Sequence, residues 1–361
     1  MALRRFEIDP DIRRAHTPPA EFYRDADAYD VAREKIFASA WHYVADAAPF
    51  DAPGWGEPIV LLPELLGEPL LVQSDANAEP RCLSNVCTHR ANLVVTEPGT
   101  RDALRCGYHG RRFALDGRFV SMPCFEGVEG FPAASDSLPA LPLEKLGPLL
   151  FTRISRDGVS FDDWIGPVCE RLRANALDGE ALTLDPAGTR EFEVAAHWAL
   201  YVENYLEGFH IPFVHPSLSG AIEWESYRTE VFPSGVLQSA EAKESEVAFA
   251  SGDGARTAAY YFWLFPNLML NFYPWGLSLN IVEPLSPRQT RVRYRTYVWN
   301  EELREQGAGS GLDAVELEDE TIVEQVQRGI ESRLYDRGRL SPAQEVGCHH
   351  FHRLLAAALF G

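Results

Sequence analysis

The alternation of apolar and polar positions changes character several times along the chain. In residues 21–46, Val31, Lys35 and Ile36 sit among charged residues and the segment runs into Trp41, Tyr43 and Val44, which predicts a helix. From 57 to 130 the apolar runs are short and punctuated by Pro, Gly and Asn, as in Pro58–Pro63, Pro69–Gln73 and Arg112–Val120. Asp116-Gly117 splits the last of these, a strong hairpin signal, and the whole region reads as all-β. Residues 131–148, rich in Pro and Ser, read as a connector. Residues 190–200 read as a strand leading into a helix, and 256–300 as long antiparallel strands. There Pro274-Trp275-Gly276 turns the chain into a run where Leu277, Leu279 and Ile281 alternate with Ser278 and Asn280. The last sixty residues read as helical, with Asp319, Val323, Val326 and Ile330 on one face.

Composition narrows the classes. A length of 361 residues suggests about two domains at ~150 residues each. Lys and Arg number 33 against 53 Asp and Glu, a net charge of −20, which argues against nucleic acid and against anionic lipid as partners. No apolar run approaches the ~18 residues of a membrane span. MALRRFEIDPDIRR lacks the apolar core of a secretory signal, so a cytoplasmic location is expected. Six cysteines are too few for a disulfide scaffold.

Two of those cysteines carry chemistry. Cys87-Thr-His89 is followed after sixteen residues by Cys106-Gly-Tyr-His109. A zinc finger groups Cys with Cys and His with His, whereas here each loop carries one of each. Two cysteines on one iron and two histidines on another make a Rieske [2Fe-2S] cluster. Cys82, Cys124, Cys169, Cys348, His16 and His42 have no paired spacing and read as packing or surface residues. A second constellation lies at 203–215, where Asn204, Glu207 and His210 recur every three residues and are expected to share one helical face. His210 and His215 are five apart, about 140° on an ideal helix. They converge only if the helix distorts or ends between them, and Pro212 is placed to do that. Two imidazoles and a carboxylate form the facial triad of non-heme Fe(II) oxygenases. Asp319, on an apolar face where a lone carboxylate is costly, is the expected third ligand. Glu316 shares that face as a second candidate, and Glu318 and Glu320 read as a solvated face.

With both motifs in hand, the chain resembles the oxygenase (α) component of Rieske non-heme iron oxygenases over nearly its whole length. Asn85-Val-Cys-Thr-His-Arg90 and Cys106-Gly-Tyr-His-Gly110 match the cluster loops, and Phe37–Val44 matches the lead into them. Glu203–His210 with His215-Pro216 matches the iron helix, and Asp319 falls where the family places its iron aspartate. The resemblance implies an α+β fold: an all-β Rieske domain (41–145) inserted in a helix-grip (START-like) catalytic domain with antiparallel sheet and helices (1–40 and 146–361). It implies that Cys87, Cys106, His89 and His109 hold the cluster and that His210, His215 and Asp319 hold a mononuclear Fe(II). Glu207 is then the catalytic carboxylate linking His109 of one subunit to His210 of the next in a head-to-tail homotrimer, or trimer of trimers, and Asn204 stands near the iron. Electrons come from NAD(P)H through a flavin/iron–sulfur reductase or a ferredoxin.

The implied reaction is O₂-dependent hydroxylation or oxidative demethylation of a small organic substrate. The common bridging residue is Asp; Glu207 resembles the branch acting on quaternary ammonium compounds such as carnitine. Aromatic-ring dioxygenation is the alternative, with a pure Rieske electron carrier or a zinc-stabilised binding module as readings from other classes. A cation–π cage is expected from Tyr260, Tyr261, Phe262, Trp263, Phe265, Phe272, Tyr273 and Trp275, with Asn271 among them. Arg111-Arg112 stands where ring-hydroxylating members typically have Trp, and with Arg90 is the expected basic patch for the reductase.

Overall fold

The structure, a computed structural model, describes residues 4–250, 256–304 and 306–361. The chain forms two compact units: one is Ala38–Gly158, the other joins the segment ending at Phe37 to Val159–Gly361.

The unit Ala38–Gly158 is built of antiparallel strands. Five form one sheet in the order Gly99–Thr100, Trp55–Leu61, Glu68–Ser74, Pro80–Ser84, Ala140–Leu141. Leu104–Arg105, Arg112–Phe113 and Phe119–Ser121 form a second, with Asp116-Gly117 in the turn and Gly117 at φ +83°. His42–Asp46 pairs with Leu149–Thr152, which pairs in turn with Leu143–Leu146. The helix expected over 21–46 is therefore shorter. It spans Ala26–Lys35, with the Asp25 side chain accepting from the Asp27 N–H, and ends at Ile36. Trp41, Tyr43 and Val44, aromatic and β-branched, belong instead to or beside a strand. The connector also carries two short strands, Ala140–Leu141 and Leu143–Leu146.

The other unit holds one large antiparallel sheet. Its order is Thr183–Val194, Gln289–Val298, Gly276–Ser286, Leu268–Tyr273, Arg256–Leu264, Gly235–Ala242, Ile222–Phe232, with Phe249–Ala250 paired to Arg256–Leu264. The helix Trp198–Tyr205 packs against Leu312–Ile330, and Val346–Phe360 carries Phe351 onto Trp198 and Trp263. Residues between 331 and 345 are not helical, so the expected helical tail is two helices. The apolar face of Leu312–Ile330 is also rotated from expectation. Val326 is exposed, and the buried residues are Glu316, Val323, Gln327 and Ile330. Gln327 is drawn inward because its Oε1 accepts the His197 N–H at 2.9 Å.

Candidate metal centres and substrate cavity

The two Cys/His loops fold alike. In the first, the Cys87 N–H donates to Asn92 O at 2.9 Å and the Ala91 N–H to Cys87 O at 3.0 Å. In the second, the Cys106 N–H donates to Arg111 O at 2.8 Å and the Gly110 N–H to Cys106 O at 3.1 Å. Ala91 and Gly110, the fourth residue after each cysteine, both take positive φ, +55° and +74°. Each loop thus puts its cysteine at the buried end of a core of Leu71, Leu83, Val94, Leu104 and Phe113, and its histidine at the partly exposed rim. The His89 and His109 rings stand edge to face, 4.8 Å apart. Burial pushes the Cys87 thiol up. Burial acts on Cys106 too, but N–H donors of Tyr108 and His109, the Cys87 thiol and the Asn92 amide outweigh it and hold its pKa below the ordinary value. Desolvation and nearby His109, Arg90 and Arg111 keep His89 below the usual histidine value, in the neutral form that ligates metal. Paired buried thiols below paired imidazoles fit the two irons of a Rieske cluster.

Arg111 is not a surface residue. It is 2% exposed, pairs with Asp136 at 2.5 Å and lies over the rings of Phe113, Phe119 and Phe131. The Asp136 carbonyl also accepts the Thr88 hydroxyl at 2.7 Å, so this one pair ties both cluster loops together. Desolvation by packed aromatic rings, rather than partner recognition, explains an arginine there.

The second constellation lies in the other unit. The helix Trp198–Tyr205, capped by His197 Nδ1 accepting from the Ala199 N–H, ends at Leu206. Gly208 then admits Tyr227, whose ring atoms come within 2.5 Å of where a Cβ would sit. His210 and His215 flank a single helical turn, Ile211–Val214, with Pro212 in its first positions where a missing N–H costs nothing. The chain thus leaves the helix before Glu207 rather than at Pro212, so Asn204, Glu207 and His210 do not share a helical face, yet the two imidazoles converge: their Nε2 atoms are 3.1 Å apart. Asp319 Oδ1 lies 3.0 Å from His215 Nε2 and 3.6 Å from His210 Nε2. The ligand atoms of the three residues fall within 4.8 Å of one another. The Nδ1 atoms are held from behind, His210 by Glu207 Oε1 and His215 by Glu318 Oε2, each at 2.7 Å. Glu207 Oε2 also accepts the His210 N–H at 3.0 Å, and the Asn204 amide donates to Asp319 Oδ1 at 2.6 Å. With both Nδ1 positions engaged, both Nε2 lone pairs face Asp319, which fits one cation held by two histidines and a carboxylate. Burial alone would lower the His215 pKa, but Asp319 and Glu318 raise it overall; that field attracts any cation.

Glu318 keeps a side chain 38% exposed, as a solvated face would, but its Oε2 is committed to His215 Nδ1. Its spacing of one residue from Asp319 hid this, because it reaches the back of His215 rather than the metal side. Glu316 is not brought into the triad. It is buried, accepting the hydroxyls of Tyr201 (2.6 Å) and Tyr294 on Oε2.

A cavity opens beside the triad, lined by Asn204, Glu207, His210, His215, Glu316 and Asp319 and by six tyrosines: 201, 205, 227, 261, 273 and 294. Of the expected aromatics only Tyr261 and Tyr273 line it, together with Asn271. Tyr261 pairs with Asn271 across the sheet, and alternation turns Tyr260, Phe262 and Phe272 to the other face, while Trp263, on the face of Tyr261, packs against Phe265 and Phe351. Tyr201 and Tyr205, one helical turn apart and flanking Asn204, carried the overlooked signal. Tyr227 and Tyr294 had none in the sequence.

Comparison with known proteins bears on both units. Residues 41–132 match the Rieske [2Fe-2S] domain, and residues 180–360 match the ring hydroxylating alpha subunit (catalytic domain). The carnitine monooxygenase oxygenase subunit of Escherichia coli (strain K12) is 30% identical, with 95% of this chain and 94% of that protein covered. Chloroplastic choline monooxygenase of Arabidopsis thaliana is 29% identical, covering 97% of this chain and 85% of that protein. Among solved structures, a quaternary ammonium Rieske monooxygenase superposes with a TM-score of 0.82 at 25% identity, covering 99% of this chain and all of that one (100%). Naphthalene 1,2-dioxygenase, at 16% identity and a TM-score of 0.71 over 95% of this chain and 92% of that one, shares the fold. A Rieske match followed by a catalytic-domain match, in a chain whose relatives align along its length, removes the isolated-carrier and zinc-module readings: the protein belongs to the alpha subunits of Rieske ring-hydroxylating oxygenases, oxidoreductases that serve as terminal oxygenase and carry a Rieske [2Fe-2S] cluster and a mononuclear non-heme iron.

Proposed function

We propose that the protein is the terminal oxygenase of a quaternary ammonium monooxygenase system, hydroxylating or oxidatively demethylating a methylated ammonium compound. The supporting observation is the cavity beside His210, His215 and Asp319, lined by six tyrosines and acidic rather than basic. Tyrosine faces attract a desolvated cation, at about 2 kcal/mol or more per well-placed ring. In this reading Cys87, Cys106, His89 and His109 hold the cluster, and His210, His215 and Asp319 hold the iron. When bound, these groups supply single electrons and the activation of O₂. One oxygen atom enters the substrate and the other leaves as water, with two electrons and two protons. The chain's own residues hold the imidazoles in one tautomer through Glu207 and Glu318 and orient Asp319 through Asn204, beside the tyrosine-lined cavity.

The domain division proposed is 41–145 for the Rieske part and 1–40 with 146–361 for the catalytic part; the compact unit Ala38–Gly158 runs on past 145 because Leu149–Thr152 pairs with His42–Asp46. Glu207, part-buried and bonded to His210, is the proposed bridge to His109 of a second subunit in a homotrimer. Electrons from NAD(P)H are proposed to arrive from a flavin/iron–sulfur reductase or ferredoxin docking on exposed Arg90 and Arg112, with Arg105, which shares a surface cleft with Arg112. Among the described residues no helix is long and apolar enough to cross a membrane, and a cytoplasmic site of action is proposed. The test is NADH and O₂ consumption with a reductase, screened over methylated ammonium compounds and aromatic acids. Turnover stimulated by the ammonium compounds, with an oxygenated or demethylated product, is expected; stimulation by aromatic acids alone overturns the reading.

A further inference from the structure

Within the tyrosine-lined cavity one carboxylate has no task in metal binding. Glu316 stands one turn before Asp319 on the helix Leu312–Ile330 and is 4% exposed. Its Oε2 collects the hydroxyls of Tyr201 and Tyr294, whose rings line the same cavity. Its Oε1 is buried and has no hydrogen-bond partner. A carboxyl in that state is costly to ionise: burial holds its proton up to about pH 8, so a cation that pairs with it must displace that proton. Among the described residues no Lys or Arg lines this cavity. Two basic groups, Arg190 and Arg304, line the adjoining cavity that Glu316 also borders. They are already paired, with Asp313 and Asp185, each at 2.7 Å.

The occupant that fits such an oxygen carries charge without donors. A primary amine or a guanidinium would hydrogen-bond Oε1. A quaternary ammonium has no N–H, so it offsets the carboxylate's charge through Coulomb attraction across its methyl groups while the surrounding phenol rings face those methyls. We propose that Glu316 is the counter-charge for the substrate's ammonium group, and that it sets specificity: permanent cations are selected, and those carrying a carboxylate close to the nitrogen are rejected, since that carboxylate meets Glu316 and no unpaired base. This rests on the quaternary ammonium reading above and narrows it to cations of the choline type, away from short zwitterions.

The test is equilibrium binding by calorimetry to the intact, metal-loaded oxygenase, wild type and Glu316→Gln. The probes are choline, its uncharged carbon isostere 3,3-dimethylbutan-1-ol, and glycine betaine. Measured at about pH 9, where Glu316 is ionised, wild type is expected to bind choline at least about tenfold more tightly than either other probe. Glu316→Gln is expected to lose that margin, with choline falling to the level of the isostere while the isostere itself is held as before. Iron content and cluster absorbance establish that the variant is intact; should it fail to fold, the order of the three probes on wild type decides. Equal choline binding by wild type and an intact variant, or glycine betaine bound as tightly as choline, overturns the role of Glu316 and leaves the ammonium reading standing. Wild type that binds no quaternary cation overturns both.

Discussion

At the scale of single residues, three carboxylates on one helix do three different things because each points in its own direction. Asp319 faces the two Nε2 atoms, so Asp319→Ala is expected to remove the mononuclear iron and leave the cluster's visible spectrum intact. Metal analysis should fall from three irons to two per chain with two sulfides unchanged; full iron retention would discard the assignment. Glu318 touches only the far nitrogen of His215. Glu318→Gln should weaken iron binding by about 10- to 100-fold without abolishing it, read from chelator competition; unaltered competition would mean that the contact does not orient the ring. Glu316 gives a pH effect. Burial pushes its carboxyl up to about 8, above the ordinary value of 4.5. Between those values the folded protein holds a proton that the unfolded chain has released. Glu316's contribution is therefore full below about pH 4.5 and is lost as pH rises towards about 8, at up to about 1.4 kcal/mol per pH unit. Glu316→Gln should melt higher than wild type at pH 8–9 and lose that advantage near pH 5. Parallel melting curves across the range would contradict this.

At the scale of elements, both metal centres depend on how loops are closed. The two cluster loops repeat one backbone pattern and meet at a single fastener, Arg111 on Asp136, with Thr88 bound to the same residue. Arg111→Ala leaves Asp136 without its partner and opens the space between Phe113, Phe119 and Phe131. It is expected to cost on the order of 3 kcal/mol. Cluster absorbance should then bleach at a lower denaturant concentration than in wild type, and an unshifted midpoint would show that the loops hold each other without it. His210 and His215, the proposed iron ligands, depend on a different closure. One helical turn between two breaks brings together imidazoles that a continuous helix would splay by about 140°.

At the scale of the molecule, Glu207 faces His210 with one oxygen and its proposed second partner lies in another subunit. Co-expressing a His109→Ala chain, which has a disabled cluster, with an Asp319→Ala chain, which lacks the iron, tests this. Mixed oligomers should regain activity that neither variant has alone. Absence of recovery in oligomers shown to be mixed would place the electron route inside one chain. The acidic background of −20 makes the few exposed arginines beside the cluster loops conspicuous to an acidic partner, an attraction that should weaken with salt.

What the sequence by itself determined is what a few consecutive residues can settle. The proximity of Cys87 to His89, of Cys106 to His109, and of His210 to His215 was legible because side chains within five residues are brought together by local backbone, whatever the rest of the chain does. The Asp116-Gly117 turn and the strand alternation around Ser278 were legible for the same reason. Only the tertiary structure decided what depends on helix phase and on distant partners. Each residue turns a helix by about 100°, so the choice between Val326 and Gln327 as the buried one rested on a contact with His197, 130 positions away. The role of Glu318 and the cavity tyrosines at 227 and 294 were decided in the same way. Periodicity marks a face but not its orientation, and packing against the sheet and the neighbouring helix supplied the orientation.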